Sequence, residues 1–69
     1  MSVESLGQRI RRERQARGWT QYELAAEVGV KRFTVTRWES GEIPETPLFF
    51  RLAHVLEIPA GYLWEGDPR

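Results

Sequence analysis

Four side chains within six residues, Arg32, Phe33, Thr36 and Arg37, have the chemistry needed to read base edges. An arginine can grip guanine O6 and N7 with two hydrogen bonds, a threonine can bond an edge or touch a methyl, and an aromatic ring can pack on the thymine methyl. At 100° per residue all four fall on one side of a helix from Lys31 to Glu39. Val35 and Trp38 fall on the opposite side, with Lys31 and Thr34 near its edges. The first pair therefore belongs to a core and the group of four faces outward. Phe33 is the informative member, because an aromatic ring on the polar face of a short helix has no place in the core. The plainer alternatives are that Phe33 lies against a neighbouring side chain and that Arg32 and Arg37 belong to an ordinary solvated face.

An outward face is useful only if something holds the helix at the right angle. The segment before it fits a second short helix and a sharp turn. Thr20 and Glu23 have the spacing of a capping box worth about 1 kcal/mol. Trp19 and Leu24 occupy the two staple positions, which fixes how the chain enters that helix. Gln21 then stands at the helix N-terminus, where backbone N–H groups and the positive dipole end favour a phosphate. Ala25 is small enough for the next helix to cross close over it, and Gly29 can take the positive φ of a tight helix exit.

The rest of the chain supplies a frame. Val3, Leu6 and Ile10 mark the buried stripe of a helix from about Glu4 to Arg17, stopped by Gly18 and surrounded by Arg9, Arg11, Arg12, Arg14 and Arg17. Beyond Gly41, Pro44 and Pro47 punctuate a loop. Thr46 as cap and Pro47 at the first helical position open a fourth helix, whose apolar face is Leu48, Phe49, Leu52, Ala53, Val55 and Leu56. Pro59 starts a last short helix through Tyr62, Leu63 and Trp64. Leu63 belongs to the core; Tyr62 and Trp64 either complete it or form a patch for self-association. Nothing alternates like a strand, and residues 66–69 read as a loose tail.

Length and composition limit the function. Sixty-nine residues make one domain (1–69, core about 3–65) too small for a large enzyme cleft. With no cysteine and His54 as the only histidine, a metal site is not expected. Glu42, Glu45 and Glu57 have no pocket-forming element around them, so no catalytic residue, enzyme activity or cofactor is expected either. No apolar run is long enough to span a membrane, and the start lacks the pattern of a signal peptide, which points to a cytoplasmic protein. The net charge of zero hides a polarity. Residues 1–40 hold eight Arg or Lys against five Glu, a surplus of three positive charges; residues 41–69 hold two against five acids, a surplus of three negative. One face can therefore be basic while the other stays acidic.

From about Leu6 to Trp64 the chain resembles the phage repressor and Cro type of helix-turn-helix DNA-binding domain. The resemblance is carried by Arg14 to Gly18, Thr20-Gln21 with Leu24-Ala25, Gly29-Val30, Val35, Trp38-Glu39-Ser40-Gly41, Leu52-Ala53 with Leu56, and Tyr62-Leu63. It implies an all-α, compact, lambda repressor-like domain of five helices, with the helix-turn-helix in helices 2 and 3. It further implies that the third helix enters the major groove of double-stranded operator DNA, with Gln21, Lys31, Thr34 and Ser40 on phosphates. By the same resemblance Arg14 and Glu39 form a partly buried salt bridge between the first and third helices. Members of this family pair across half-sites, which implies a homodimer, at least on DNA, with its contact near Ile43, Pro44, Ala60 and Trp64. The implied function is a transcriptional regulator, a repressor acting by occlusion on a palindromic operator. The alternative is a protein-interaction module such as an antitoxin or adaptor, which the acidic second half and apolar end would suit. Two departures stand out. Gly41 to Pro47 offers Glu42 and Glu45 where relatives often carry basic residues, which predicts modest phosphate affinity, and Glu57 replaces a glycine frequent at the end of the fourth helix. Nothing after Trp64 is long enough for an effector or oligomerisation domain, so the reading is of a one-domain regulator or the DNA-binding piece of a longer one.

Overall fold

A helix leaves the N–H groups of its first turn without partners, and the first two helices solve this in the same way. In the computed structural model, which describes residues 4–66, helix α1 (Leu6–Ala16) starts behind Ser5. The Ser5 hydroxyl accepts from the Gln8 amide at 3.2 Å, and Gln8 Oε1 accepts from the Ser5 amide at 2.8 Å. Thr20 and Glu23 repeat the arrangement at the start of α2 (Gln21–Val28), at 3.0 and 2.8 Å. Helices α3 (Arg32–Glu39), α4 (Thr46–Leu56) and α5 (Ala60–Glu65) begin behind Lys31, Glu45 and Pro59 with no side-chain cap. Expected boundaries move by one or two residues: α1 runs from Leu6 to Ala16 and not from about Glu4 to Arg17, Lys31 is the residue before α3, and Thr46 is the first residue of α4, with Pro47 second. Pro47 has no N–H, so the first turn of α4 carries one fewer donor to satisfy, and its φ is already set for the helix. Val3 lies outside the described residues.

Helix α3 packs against α2 and α1, α4 against α2 and α5, and α5 closes back on α1. Among the described residues there is no strand. The core these contacts enclose is Ile10, Leu24, Ala25, Val28, Val35, Trp38, Leu52, Ala53, Leu56 and Leu63. Leu6, Trp19, Leu48 and Phe49 pack around it, half-buried. Burying such aliphatic and aromatic side chains is worth about 1.5–3 kcal/mol each, which holds α3 in place without using any of its outward residues.

Backbone geometry explains the close crossings. Gly29 ends α2 at φ 89°, where its amide and that of Val30 both reach the Ala25 carbonyl, at 2.8 and 2.9 Å. Gly7 has a different task. A Cβ there would lie 2.6 Å from the Trp38 carbonyl oxygen and 2.9 Å from that of Glu39, so α1 rests directly on the exit of α3. Glu57 closes α4 at φ 57°, in the left-handed conformation that the glycine it replaces adopts freely.

Three helix C-termini are closed by arginines. Arg9 is buried and donates to the Leu63 and Trp64 carbonyls of α5 at 2.8 and 3.2 Å. Its guanidinium lies against Gly66, which is also buried, so the expected loose tail does not begin at residue 66. Residues 67–69 lie outside the described residues. Arg17 donates to the Leu56 carbonyl at the end of α4, and Arg51 to the Val28 carbonyl of α2 at 3.3 Å. Cations there meet orphan carbonyls and the negative dipole end together. Arg9 and Arg17 are thus structural, and Arg12 is engaged by Glu4 at 2.7 and 3.0 Å. The surplus positive charge of the first half is not all available to a ligand.

Candidate nucleic-acid interface

With Val35 and Trp38 buried, the opposite side of α3 carries Arg32, Phe33, Thr36 and Arg37, all exposed. Eight residues at about 1.5 Å each make a rod about 12 Å long, which fits the major groove of B-DNA. Lys31 stands exposed at one end of this rod and Ser40 at the other; Thr34 is half-buried on its flank. Phe33 is 54% exposed and makes its contact with Arg37, whose guanidinium carbon lies 5.7 Å from the ring centroid.

The face is wired to the interior. Arg14 of α1 donates through Nε and Nη2 to the two Glu39 oxygens at 2.7 and 3.1 Å, and through Nη1 to the Trp19 carbonyl at 2.7 Å. Both side chains are at most one-tenth exposed. Gln21, at the start of α2, donates to Glu39 Oε1 at 3.1 Å and accepts from the Thr36 hydroxyl at 2.8 Å. A carboxylate only accepts, so the Gln21 amide must turn its NH2 to Glu39 and its oxygen to Thr36. One Gln21 N–H is left for a phosphate, and the Thr36 oxygen keeps its lone pairs for a base edge. A continuous chain of bonds therefore runs from buried Arg14 to outward Thr36.

In the loop after α3, exposed Glu42 pairs with Arg37 at 2.7 Å. Of the two loop acids, only Glu45 has no ion pair among the described residues.

Two grooves lie on the surface, one beside α3 and one between the loop after it, α4 and α5. One, of about 280 Å³, lies between α2 and the start of α3 and is lined by Tyr22, Ala25, Ala26, Val30, Lys31 and Arg32. Tyr22 is 70% exposed, and the sequence reading passed over it. The signal was its position outside the Leu24, Ala25 and Val28 stripe. The other groove, of about 240 Å³, brings together Ile43, Pro44 and Trp64 with Thr46 and Phe49. Ile43 and Trp64 are exposed, but Pro44 is buried within the monomer and offers little surface to a second copy. Ala60 is half-buried against the core and does not line the groove. Phe49 holds Phe50 and Trp64 in edge-to-face contacts at 5.7 and 5.9 Å. Exposed Phe50 was missed; Phe49, three and seven residues before Leu52 and Leu56, shares their stripe, and Phe50 is turned about 100° from it. Tyr62 is half-buried, bonded to Arg12 and Glu13, and His54 is exposed.

A family profile described as helix-turn-helix matches residues 10–63, most of the chain. This chain belongs to the Cro/C1-type helix-turn-helix family. The solved P22 c2 repressor in complex with a synthetic operator is similar over 94% of this chain and all of that one, at 30% identity and a TM-score of 0.89. The restriction-modification controller protein C.AhdI from Aeromonas hydrophila is 33% identical over 86% of this chain and 91% of that one, with a TM-score of 0.80. Fe(II) HppE in complex with its substrate shares the fold at 26% identity and a TM-score of 0.79, over 91% of this chain but 36% of that one. No curated protein sequence gives a significant match. The fold and the family are those of DNA-binding transcriptional regulators. No helix among the described residues is long and apolar enough to cross a membrane.

Proposed function

We propose that this helix-turn-helix protein is a sequence-specific repressor that binds double-stranded operator DNA as a dimer, with α3 in the major groove and repression by occlusion. One observation carries the reading: four base-reading side chains stand exposed on α3 and the core needs none of them, on a scaffold similar to one solved on an operator. Arg32, Phe33, Thr36 and Arg37 read bases, while Gln21, Lys31, Thr34 and Ser40 hold phosphates. The groove between Ile43 and Trp64 supports a two-fold contact between copies, since one short helix reads too few base pairs for an operator. The protein acts in the cytoplasm as a binding protein and not as an enzyme, and its function calls for no metal or cofactor.

A second reading has its own support. The exposed aromatics around Phe49 suit a protein partner, and HppE shows that this fold also forms a minor part of a longer chain. Selection from a random duplex pool, followed by titration at several salt concentrations, separates the two. The operator reading expects a consensus of two related half-sites about one helical turn apart, two proteins per site, and a negative log–log salt slope. A slope near zero with no consensus would favour the protein-interaction module.

A further inference from the structure

The Arg37 guanidinium is held from two directions. Its central carbon lies over the Phe33 ring, 5.7 Å from the centroid, and one oxygen of Glu42 accepts from Nε at 3.1 Å and from Nη2 at 2.7 Å. The backbone brings the two residues together, because the Glu42 amide donates to the Arg37 carbonyl at 3.0 Å as the chain leaves α3. Among the described residues no acceptor occupies Nη1. The outer edge, formed by Nη1 and the second hydrogen of Nη2, is therefore open, and its paired N–H groups match guanine O6 and N7.

We propose that Glu42 is a specificity-determining residue that touches no base: it positions Arg37 on Phe33 with the guanine-reading edge presented. The proposal rests on the reading of α3 as the base-reading helix. It sets two effects of one acid against each other. The negative charge weakens binding to every duplex, whereas the fixed edge sharpens the choice of guanine.

The test separates charge from geometry. Glu42→Gln keeps an oxygen that accepts both Arg37 N–H groups but loses the charge; Glu42→Ala loses both. Each variant, with Arg37→Ala as reference, is titrated on the selected operator and on a copy in which the guanine that Arg37 reads is replaced by adenine. That position is the one where Arg37→Ala loses its preference in selection, and thermal unfolding checks that every variant is folded. Wild type should prefer guanine by about 5- to 150-fold. Glu42→Ala should lower that ratio about two- to fivefold, the coupling expected of exposed partners, while Glu42→Gln keeps the ratio and binds all duplexes more tightly. An unchanged ratio in Glu42→Ala overturns the proposal by showing that Glu42 acts through charge alone. A raised ratio overturns it by showing that Glu42 competes with guanine. In either case a lost preference in Arg37→Ala leaves the proposed function standing. Undiminished preference in Arg37→Ala at every position would overturn the proposal and remove Arg37 from the base-reading set, with sequence-specific binding intact; no selected sequence at all would overturn both.

Discussion

The Arg14 and Glu39 pair does two things at one place: it ties α1 to the end of α3, and through Gln21 it fixes where Thr36 points. Removing either partner leaves a nearly buried charge alone, at an expected cost of about 3 kcal/mol or more. The double mutant should lose less than the sum of the singles, and a double-mutant cycle on denaturant unfolding would reveal additivity if the contact were idle. The pair was legible before the structure because the family resemblance covers both positions. The Gln21 relay was not, since spacing says which residues share a helix face but not which side chain of another helix reaches it. Gly7 is a stronger case of the same limit. Nothing in its neighbours announces that the Trp38 and Glu39 carbonyls come within 3 Å of where its Cβ would be. Backbone oxygens cannot step aside cheaply, so Gly7→Ala should destabilise by about 1–3 kcal/mol by overpacking, although alanine favours the helix itself. A Gly7→Ala protein as stable as wild type would mean that α1 has room to shift.

At the level of elements, the period of apolar residues together with caps and proline starts placed all five helices, and boundaries shifted where a cap was misjudged. Ser5-x-x-Gln8 is a capping box as plain as Thr20-x-x-Glu23, yet Val3 extended the apolar stripe and drew the expected start to Glu4. Thr20→Ala and Ser5→Ala should each cost about 1 kcal/mol in thermal unfolding. Glu57 offers the reverse experiment. Its left-handed backbone costs a side-chain-bearing residue about 1–2 kcal/mol, of which a glycine gives back part in chain entropy. Glu57→Gly should therefore raise stability by about 0.5–1 kcal/mol; a loss would mean that the carboxylate has a role the geometry does not show. Near the start of α1, hydrogen bonds from Arg12 hold the Glu4 carboxyl below its ordinary range, partly opposed by burial. A lowered folded pKa gives stability that is present above the unfolded value and lost as pH falls through the folded one. Acid titration of unfolding should show this loss in wild type below the usual carboxylate range, and less of it in Glu4→Gln.

Charge polarity over the whole molecule was legible as a count but not as a surface. Arg9, Arg12 and Arg17 are engaged within the fold, and Arg37 has an acid beside it. Phosphate attraction then rests on few groups, and the salt slope should be shallow for a dimeric regulator, each neutralised phosphate adding about −0.9. Glu45→Lys should bind all duplexes more tightly and steepen that slope without changing the preferred sequence; no change at low salt would place the loop away from DNA. The apolar groove between Ile43 and Trp64 was legible in part, because the loop and the last helix could be named while the Phe49 bridge between them depends on how α4 packs. The claim on which the account turns is that the outward face of α3 chooses the sequence. Its most direct measurement is the affinity of Arg32→Ala for the selected operator and for random duplex DNA, side by side at one salt concentration. The expected result is a loss of about 1–3 kcal/mol on the operator and little on random DNA. Equal losses on both would make Arg32 a phosphate contact and contradict the assignment of this face to sequence reading.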